Sequence, residues 1–415
     1  MIYIDSIRIE NKEKSTLYFD VVLNNRPKRV FFEVENQYSQ YLCNERCDAI
    51  VIGLLNYAMR YRHNIKSVVP ITEELLYNIN TYLIPSLTRY DKKMHKIEII
   101  APTISEPIKT AGAVGTGLSC GVDSFHAITN HYNSKYKSMN LTHLCIHSVG
   151  SFHNGYAQYG VQKAKAEVYE RAEKVAQELG LPIVKSNSNI KEQFEIYFEH
   201  SHTYYSMFAV YCLQKLWGVY YYGSSGRDFQ EFSIVNNSTK SSAMYELLSL
   251  PCFSTHTLHL YTEGGAKNRL EKTIAIADNP VVQRHLHVCC TEGKNCGWCL
   301  KCKRTLLTLD ILGKLDDFRE VFDVDYYREN KDVYLNWLYI NNQCDDEMLE
   351  PIYQALKKEI GFGIRFRYWY MRYFKRLFSI SEQGKRVVTY FLFIKISFKN
   401  KNYRQLEAEL KQEDI

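Results

Sequence analysis

Residues 117–124 combine small side chains with groups that bind phosphate. They read Gly-Leu-Ser-Cys-Gly-Val-Asp-Ser, after an apolar approach and before a helical pattern at 125–132. A pyrophosphate needs converging backbone N–H groups, little steric hindrance and the positive end of a helix. We therefore interpret the stretch as a phosphate-binding loop, the alternative being a glycine-rich turn before an ordinary helix.

Four residues of this loop have expected roles. Gly121 is expected to allow an unusual backbone conformation, and the hydroxyls of Ser119 and Ser124 to donate to phosphate oxygens. Asp123 or Ser124 is expected to cap the helix.

Two commoner phosphate loops fit this stretch poorly. Gly112 and Gly117 have the spacing of a Walker A loop, but Leu118 stands where its lysine belongs. Gly115 and Gly117 begin a dinucleotide fingerprint, but Cys120 replaces its third glycine.

A cysteine cluster is the second strong signal. Cys296, Cys299 and Cys302 form a C-x-x-C-x-x-C pattern, with Gly297 in the first turn and Cys289 a short loop upstream. Thiolates about 2.3 Å from one zinc ion must converge this closely, and four of them form a closed, structural site. Such a site would tie the loop to a helix predicted at 305–312 and contribute folding energy.

The fourth ligand has alternatives. Cys289 is the preferred one, and Cys290 and His287 are the others. A disulfide pair, an iron–sulfur cluster or buried thiols are the rival interpretations of the cluster.

Two cations open a helix predicted up to residue 277. Arg269 and Lys272 lie about one helical turn apart, on one face. Such charges usually form a solvated face, but pyrophosphate leaving this loop needs cations that the loop itself lacks. We expect Arg269 and Lys272 to clamp it.

Alternating strands and helices surround these motifs between 111 and 323, which predicts a parallel sheet covered on both faces. Ligands bind at the carboxyl ends of such strands, where the chain order reverses. His147 and Gly223 are therefore expected to contact nucleotide or substrate. The predicted strands are 141–147, 182–185 and 219–222, the helices 156–179 and 201–217, and the ligand-binding loops 147–150, 186–189 and 223–228.

The remaining regions are expected to be separate domains, 1–110 of α+β type and 326–415 basic, aromatic-rich and mainly helical. From residue 361 onward, twelve Lys/Arg and five Asp/Glu give a formal net charge of +7. Because the whole chain has a net charge of +6, residues 1–360 together carry about −1. The basic aromatic stripe 365–376 could stack on RNA bases, but packing on the protein or a partner is preferred. The predicted strands of the first region are 2–10, 15–23, 29–34 and 96–100, its helices 48–60 and 71–82, and the helices of the last region 334–340 and 346–360.

The composition is that of a folded globular protein, with 46% hydrophobic and 24% charged residues in 415. The longest apolar candidate, 387–394, is too short to span a membrane, and the first residues begin as a strand without signal-peptide layout. Twelve cysteines spread over a long chain fit a reducing compartment with one metal site. A cytoplasmic location is expected.

The loop and the cluster together resemble a known family. Residues 119–124 resemble the Ser-Gly-Gly-x-Asp-Ser signature of PP-loop ATP pyrophosphatases, with Cys120 in place of the first glycine. Together with the later Cys…Cys-Gly-x-Cys-x-x-Cys-x-Arg pattern, the chain resembles the 7-cyano-7-deazaguanine synthase (QueC) family over residues 111–312. The resemblance implies a doubly wound parallel sheet of the adenine nucleotide alpha-hydrolase type with a four-cysteine zinc knuckle.

The resemblance also implies site residues. Asp228 is similar to the family's aspartate after the fourth strand, and its Tyr-Pro-Asp-Cys-Arg and Gly-Gln-Arg-His segments have no counterpart here. These departures lie on the substrate side, so ATP chemistry is better supported than deazaguanine chemistry. By resemblance, the phosphates would be held by Ser119, Cys120, Gly121, Val122, Asp123 and Ser124, and zinc by Cys289, Cys296, Cys299 and Cys302.

The implied activity is an AMP-forming carbon–nitrogen ligase that uses ATP and Mg²⁺. It would adenylate a carboxylate, 7-carboxy-7-deazaguanine or a related acid, and pass the acyl group to an amine. That amine would be ammonia from outside, since Met1-Ile2 offers no N-terminal cysteine for a glutaminase, or a protein amine, since QueC-like proteins with added domains occur in anti-phage operons. A PP-loop tRNA sulfur transferase and a non-catalytic nucleotide-binding interaction subunit are the alternatives.

Overall fold

In the computed structural model the chain forms two compact units, Met1–Val324 and Asp325–Ile415. The domain boundaries expected near 110 and 325 stay predictions. The structure describes residues 1–150, 161–223, 229, 232, 241–289, 295–342, 348–370, 378–383, 386–391 and 394–399.

A ten-stranded sheet forms the centre of the first unit. Six of its nine strand pairings are parallel, so the protein is of the α/β class with a mostly parallel sheet, as predicted. From one edge to the other, the strands are β12 (His259–Glu263), β11 (Trp217–Gly223), β8 (Ala113–Gly117), β9 (His143–Ser148), β10 (Ile183–Ser188), β3 (Arg26–Val34), β2 (Ser15–Leu23), β1 (Ile2–Asn11), β4 (Ile65–Ser67) and β6 (Ile99–Ile100). A separate parallel pair consists of β5 (Ile71–Thr72) and β7 (Thr103–Ile104).

Helices cover the sheet and connect its strands. In the described part of the first unit they are α1 (Asp48–Tyr61), α2 (Glu73–Asn78), α3 (Ile84–Tyr90), α4 (Val122–His131), α5 (Val161–Leu179), α6 (Ile190–Gln193), α7 (Phe198–Cys212), α8 (Glu246–Phe253), α9 (Arg269–Ile276), α10 (Pro280–His285) and α11 (Leu300–Ile311). The described helices of the second unit are α12 (Val324–Glu329), which begins at the boundary, α13 (Lys331–Asn342), α14 (Glu350–Leu356) and α15 (Phe362–Trp369). A π-helical turn, Ile79–Leu83, joins α2 to α3.

The order of the parallel strands places a switch point beside β8. From β8 the chain moves through β9 to β10 in one direction, and β11 and β12 then lie on the other side of β8. Because such crossovers are right-handed, α4 and α5 cover one face of the sheet, and α7 and α8 cover the other. The loop after β8 therefore opens where ligands bind in doubly wound sheets.

Close packing holds β8 in the middle of this sheet. Gly115 faces the indole of Trp217, and a Cβ added at Gly115 would lie 2.6 Å from a ring carbon. Glycine is therefore required by close approach, since its φ is not among the positive ones.

The N-terminal strands join the parallel strands without a break. Strands β1, β2 and β3 form an antiparallel meander, and β3 pairs antiparallel with β10. The Asn189 side chain strengthens this junction, because it accepts a hydrogen bond from Phe31 N at 2.8 Å and donates to Arg29 O at 3.0 Å. Asn189, which the sequence placed in a ligand-binding loop, therefore binds the backbone of β3 and stabilises its pairing with β10.

The C-terminal unit contains a sheet that the sequence analysis did not predict. Strands β13 (Phe378–Gln383), β14 (Arg386–Phe391) and β15 (Ile394–Lys399) form an antiparallel meander after the helices. In α15, Phe362 is 81% exposed and stacks on Phe366, which is itself 50% exposed. Along the described chain, no helix is both long enough and apolar enough to cross a membrane.

Candidate functional site

The predicted phosphate loop lies at the switch point. It leaves β8 at Gly117 and enters α4 at Val122. Leu118 N donates to Cys145 O of the neighbouring β9 at 2.6 Å, which fixes the start of the loop.

The unusual backbone conformation lies at Cys120. Its φ is +59°, in the left-handed region, whereas Gly121 is extended with φ −84° and ψ 175°. The expectation for Gly121 is therefore wrong by one residue. The left-handed conformation lies at Cys120, the residue that stands in place of the first glycine of the PP-loop signature. The Cys120 side chain is 1% exposed, and its carbonyl accepts a hydrogen bond from His287 N at 2.8 Å.

Helix α4 begins without a side-chain cap. Gly121 occupies the N-cap position, so the expected cap by Asp123 or Ser124 is wrong. Ser124 instead donates from Oγ to Gly121 O at 3.0 Å, and Ser119 Oγ lies 3.4 Å from Ser124 Oγ. The first-turn N–H groups, which include that of Val122, have no acceptor within the helix and carry its positive end.

The predicted cations meet the loop at Asp123. Arg269 Nη1 lies 2.5 Å from Asp123 Oδ2, and Lys272 Nζ lies 3.6 Å from Asp123 Oδ1. The Lys272 side chain is only 1% exposed. Although burial opposes ionisation, the charges of Arg269 and Lys272 hold the pKa of Asp123 below its usual value.

A capping box sets the start of the helix that carries both cations. The Asn268 side chain accepts from Glu271 N at 3.0 Å, and the Glu271 side chain accepts from Asn268 N at 2.9 Å. This local signal orients Arg269 and Lys272 on the face of α9 that meets α4.

A buried polar network lies close to Lys272, near Gly264. Gly264 has φ +83°, and a Cβ there would lie 2.8 Å from Lys272 Cε and 3.2 Å from His126 Nδ1. His126 Nδ1 is also 3.2 Å from Glu263 Oε1. The sequence analysis missed this network, because a lone histidine in a helix and a glutamate at a strand end carry no recognisable spacing.

The carboxylate of Glu263 is the centre of that network. His131 Nε2 lies 2.8 Å from Glu263 Oε2, and Asn130 donates to Glu263 Oε1 at 2.7 Å. Burial favours the neutral acid, but the hydrogen bonds from these side chains and His126 lower the pKa of Glu263 to about 2.

The two residues predicted at strand ends, Gly223 and His147, lie in different surroundings. Gly223 ends β11 beside the loop, where an added Cβ would lie 3.5 Å from Asp123 Cβ. His147 in β9 shares a 2.7 Å hydrogen bond through Nδ1 with Ser186 Oγ, and burial lowers its pKa to about 4, so its ring is neutral at pH 7. Among the described residues, no hydrogen-bond partner reaches the buried His147 Nε2. Asp228 lies outside the described residues.

The four preferred cysteines converge as predicted. The sulfurs of Cys289, Cys296, Cys299 and Cys302 all lie within 4.8 Å of one another. The Cys296–Cys302 and Cys289–Cys299 separations are 3.8 and 3.9 Å, close to the edge of about 3.8 Å that a tetrahedron with 2.3 Å zinc–sulfur bonds requires.

The local backbone fits this donor set. Gly297, which the sequence places in the turn between two of these cysteines, has φ +77°, and Cys302 lies in the first turn of α11. Among the alternatives for the fourth ligand, Cys290 lies outside the described residues and His287 meets the phosphate loop through its backbone. Four thiols at these distances can hold one metal ion and are compatible with zinc.

The comparisons with known proteins gave no relative of this chain. No protein-family model, no curated protein and no solved structure matches it.

Proposed function

We propose that the chain is a QueC-like enzyme that uses ATP to activate a carboxylate and joins it to an amine. A carboxylate oxygen attacks the α-phosphorus, the bond to the β-phosphate oxygen breaks, and pyrophosphate leaves. The amine then attacks the acyl carbon, AMP leaves, and the amine proton passes to solvent or a base. The proposed acid is 7-carboxy-7-deazaguanine or a relative, and the amine is ammonia or a protein amine.

The observation that carries this proposal is the meeting of Arg269 and Lys272 with the first turn of α4. Pyrophosphate develops negative charge as it leaves, and two fixed cations beside free helix N–H groups stabilise that charge. Asp123 pairs with both cations and holds them beside the first turn of α4. With ATP present, its carboxylate is suited to Mg²⁺, which accepts oxygen ligands.

The metal has a separate role in this proposal. Four thiolates form a closed coordination shell, so zinc at Cys289, Cys296, Cys299 and Cys302 would be structural. A zinc ion there would hold the segment around Cys289 and the start of α11 together.

Pyrophosphate release tests the proposal. We expect release from ATP and Mg²⁺ to depend on added 7-carboxy-7-deazaguanine and to fall at least a hundredfold in Asp123→Ala, whereas Asp91→Ala, away from the site, should keep it. Tight ATP binding without release under any acid would favour the interaction-subunit alternative. Release that depends on tRNA would favour the sulfur transferase.

A further inference from the structure

The metal-binding segment touches the phosphate loop at its most constrained residue. His287 lies two residues before the Cys289 ligand, and its N–H donates to Cys120 O at 2.8 Å. A Cβ added at Gly121 would lie 4.0 Å from His287 O, so the two backbones run side by side. Cys120 is also the loop residue with φ +59°.

A buried asparagine fixes the same segment through its side-chain hydrogen bonds. Asn295 is 5% exposed, and its Oδ1 accepts from Val288 N at 2.8 Å and Cys289 N at 3.2 Å. Its Nδ2 donates to Leu286 O at 2.9 Å and Val321 O at 3.0 Å. Both ends of this amide therefore hold the backbone of residues 286–289.

We infer that the four-cysteine segment, fixed by Asn295, keeps Cys120 in the left-handed conformation that the phosphate loop requires for nucleotide binding. A residue with a Cβ resists positive φ, so this loop needs an external contact that a glycine would not need. The contact from His287 is that support, and Asn295 is a positioning residue for it. The inference rests on the proposed function, because it concerns the same nucleotide site.

The coupling must act in both directions. If a bound metal favours the nucleotide-binding shape of the loop, bound nucleotide must favour metal retention by the same factor. ATP should therefore slow loss of zinc to a chelator, a result that needs no catalytic turnover.

A double-mutant cycle with Cys120→Gly tests the inference. We expect Asn295→Ala to weaken binding of ATP and Mg²⁺ about tenfold, measured by calorimetry on the full chain. In the Cys120→Gly background, where glycine adopts positive φ freely, the same change should cost less than about threefold. Asn295→Asp, which keeps Oδ1, serves as a second variant if the alanine variant does not fold, and circular dichroism checks both.

The outcomes separate this inference from the proposed function. An equal loss in both backgrounds, or no loss in folded Asn295→Ala, overturns the inference while ATP binding by the unmodified chain persists. A chain with zinc that binds no ATP at all contradicts the proposed function and this inference together.

Discussion

Lys272→Met tests the cation clamp most sharply. The ammonium of Lys272 is buried and lies 3.6 Å from Oδ1 of Asp123, whereas Arg269 contacts the other carboxylate oxygen. Methionine keeps the length and packing of the side chain while it removes the charge. The variant therefore isolates the electrostatic role of Lys272.

The expected effects on stability and on catalysis differ in size. At 3.6 Å the attraction is about 4–5 kcal/mol for an effective dielectric constant of about 20, and burying the ammonium offsets most of it. Because Arg269 still pairs with Asp123, we expect the free energy of unfolding to change by only about 1 kcal/mol. Losing a fixed charge that acts on the transition state should lower kcat about 10²- to 10³-fold.

Steady-state pyrophosphate release and chemical denaturation measure the two effects. Lys174→Met is the matched control, since Lys174 is 62% exposed and pairs with Glu170 on the surface. We expect the control to keep kcat within about twofold of the unmodified chain and to leave the free energy of unfolding nearly unchanged. Unchanged kcat in a folded Lys272→Met variant would refute the clamp.

Three further predictions follow from other parts of the site. Cys302→Ala should lose the single zinc ion measured by elemental analysis and lower Tm, whereas Cys252→Ala, away from the cluster, should keep the zinc; equal zinc content would contradict the four-cysteine site. Glu263→Gln should lower stability by about 3 kcal/mol at pH 7, because a pKa of about 2 against 4.5 stabilises the folded chain above pH 4.5. That difference should shrink as pH falls from 4.5 toward 2 in urea titrations, and a pH-independent difference would show that shape, not charge, matters. Gly264→Ala should weaken ATP binding about tenfold, because residue 264 has φ +83°, which alanine resists, and the added Cβ would collide with the Lys272 side chain. Unchanged affinity would place Lys272 outside the site.

The sequence predicted the parts of the site that depend on local pattern. Strand β8, the loop and α4 follow from an apolar run, small residues and helical spacing, and the residues from Asn268 to Lys272 indicate the start of α9. The convergence of Cys296, Cys299 and Cys302 follows from their spacing, since C-x-x-C turns bring thiols together. For the fourth position the sequence offers Cys289 as the preferred of three alternatives. These features need no information from distant parts of the chain.

The remaining features depend on distant contacts. The sequence places an unusual backbone conformation at Gly121, because glycine is the residue that adopts one freely, yet Cys120 has the positive φ and its carbonyl accepts a hydrogen bond from His287 N. No local pattern predicts that contact, or the four hydrogen bonds of the Asn295 side chain. The pairing of β3 with β10 could not be predicted from local pattern either, because strand edges pair through backbone groups that are common to all residue types.

Isotope transfer tests the central claim most directly. The chain would be supplied with ATP, Mg²⁺, an amine and 7-carboxy-7-deazaguanine labelled with ¹⁸O in its carboxylate, and the AMP would be analysed by mass spectrometry. If the carboxylate attacks the α-phosphorus, one ¹⁸O atom must appear in AMP. AMP that forms at the same rate but carries only oxygen from water would contradict carboxylate activation and show that the site hydrolyses ATP by another route.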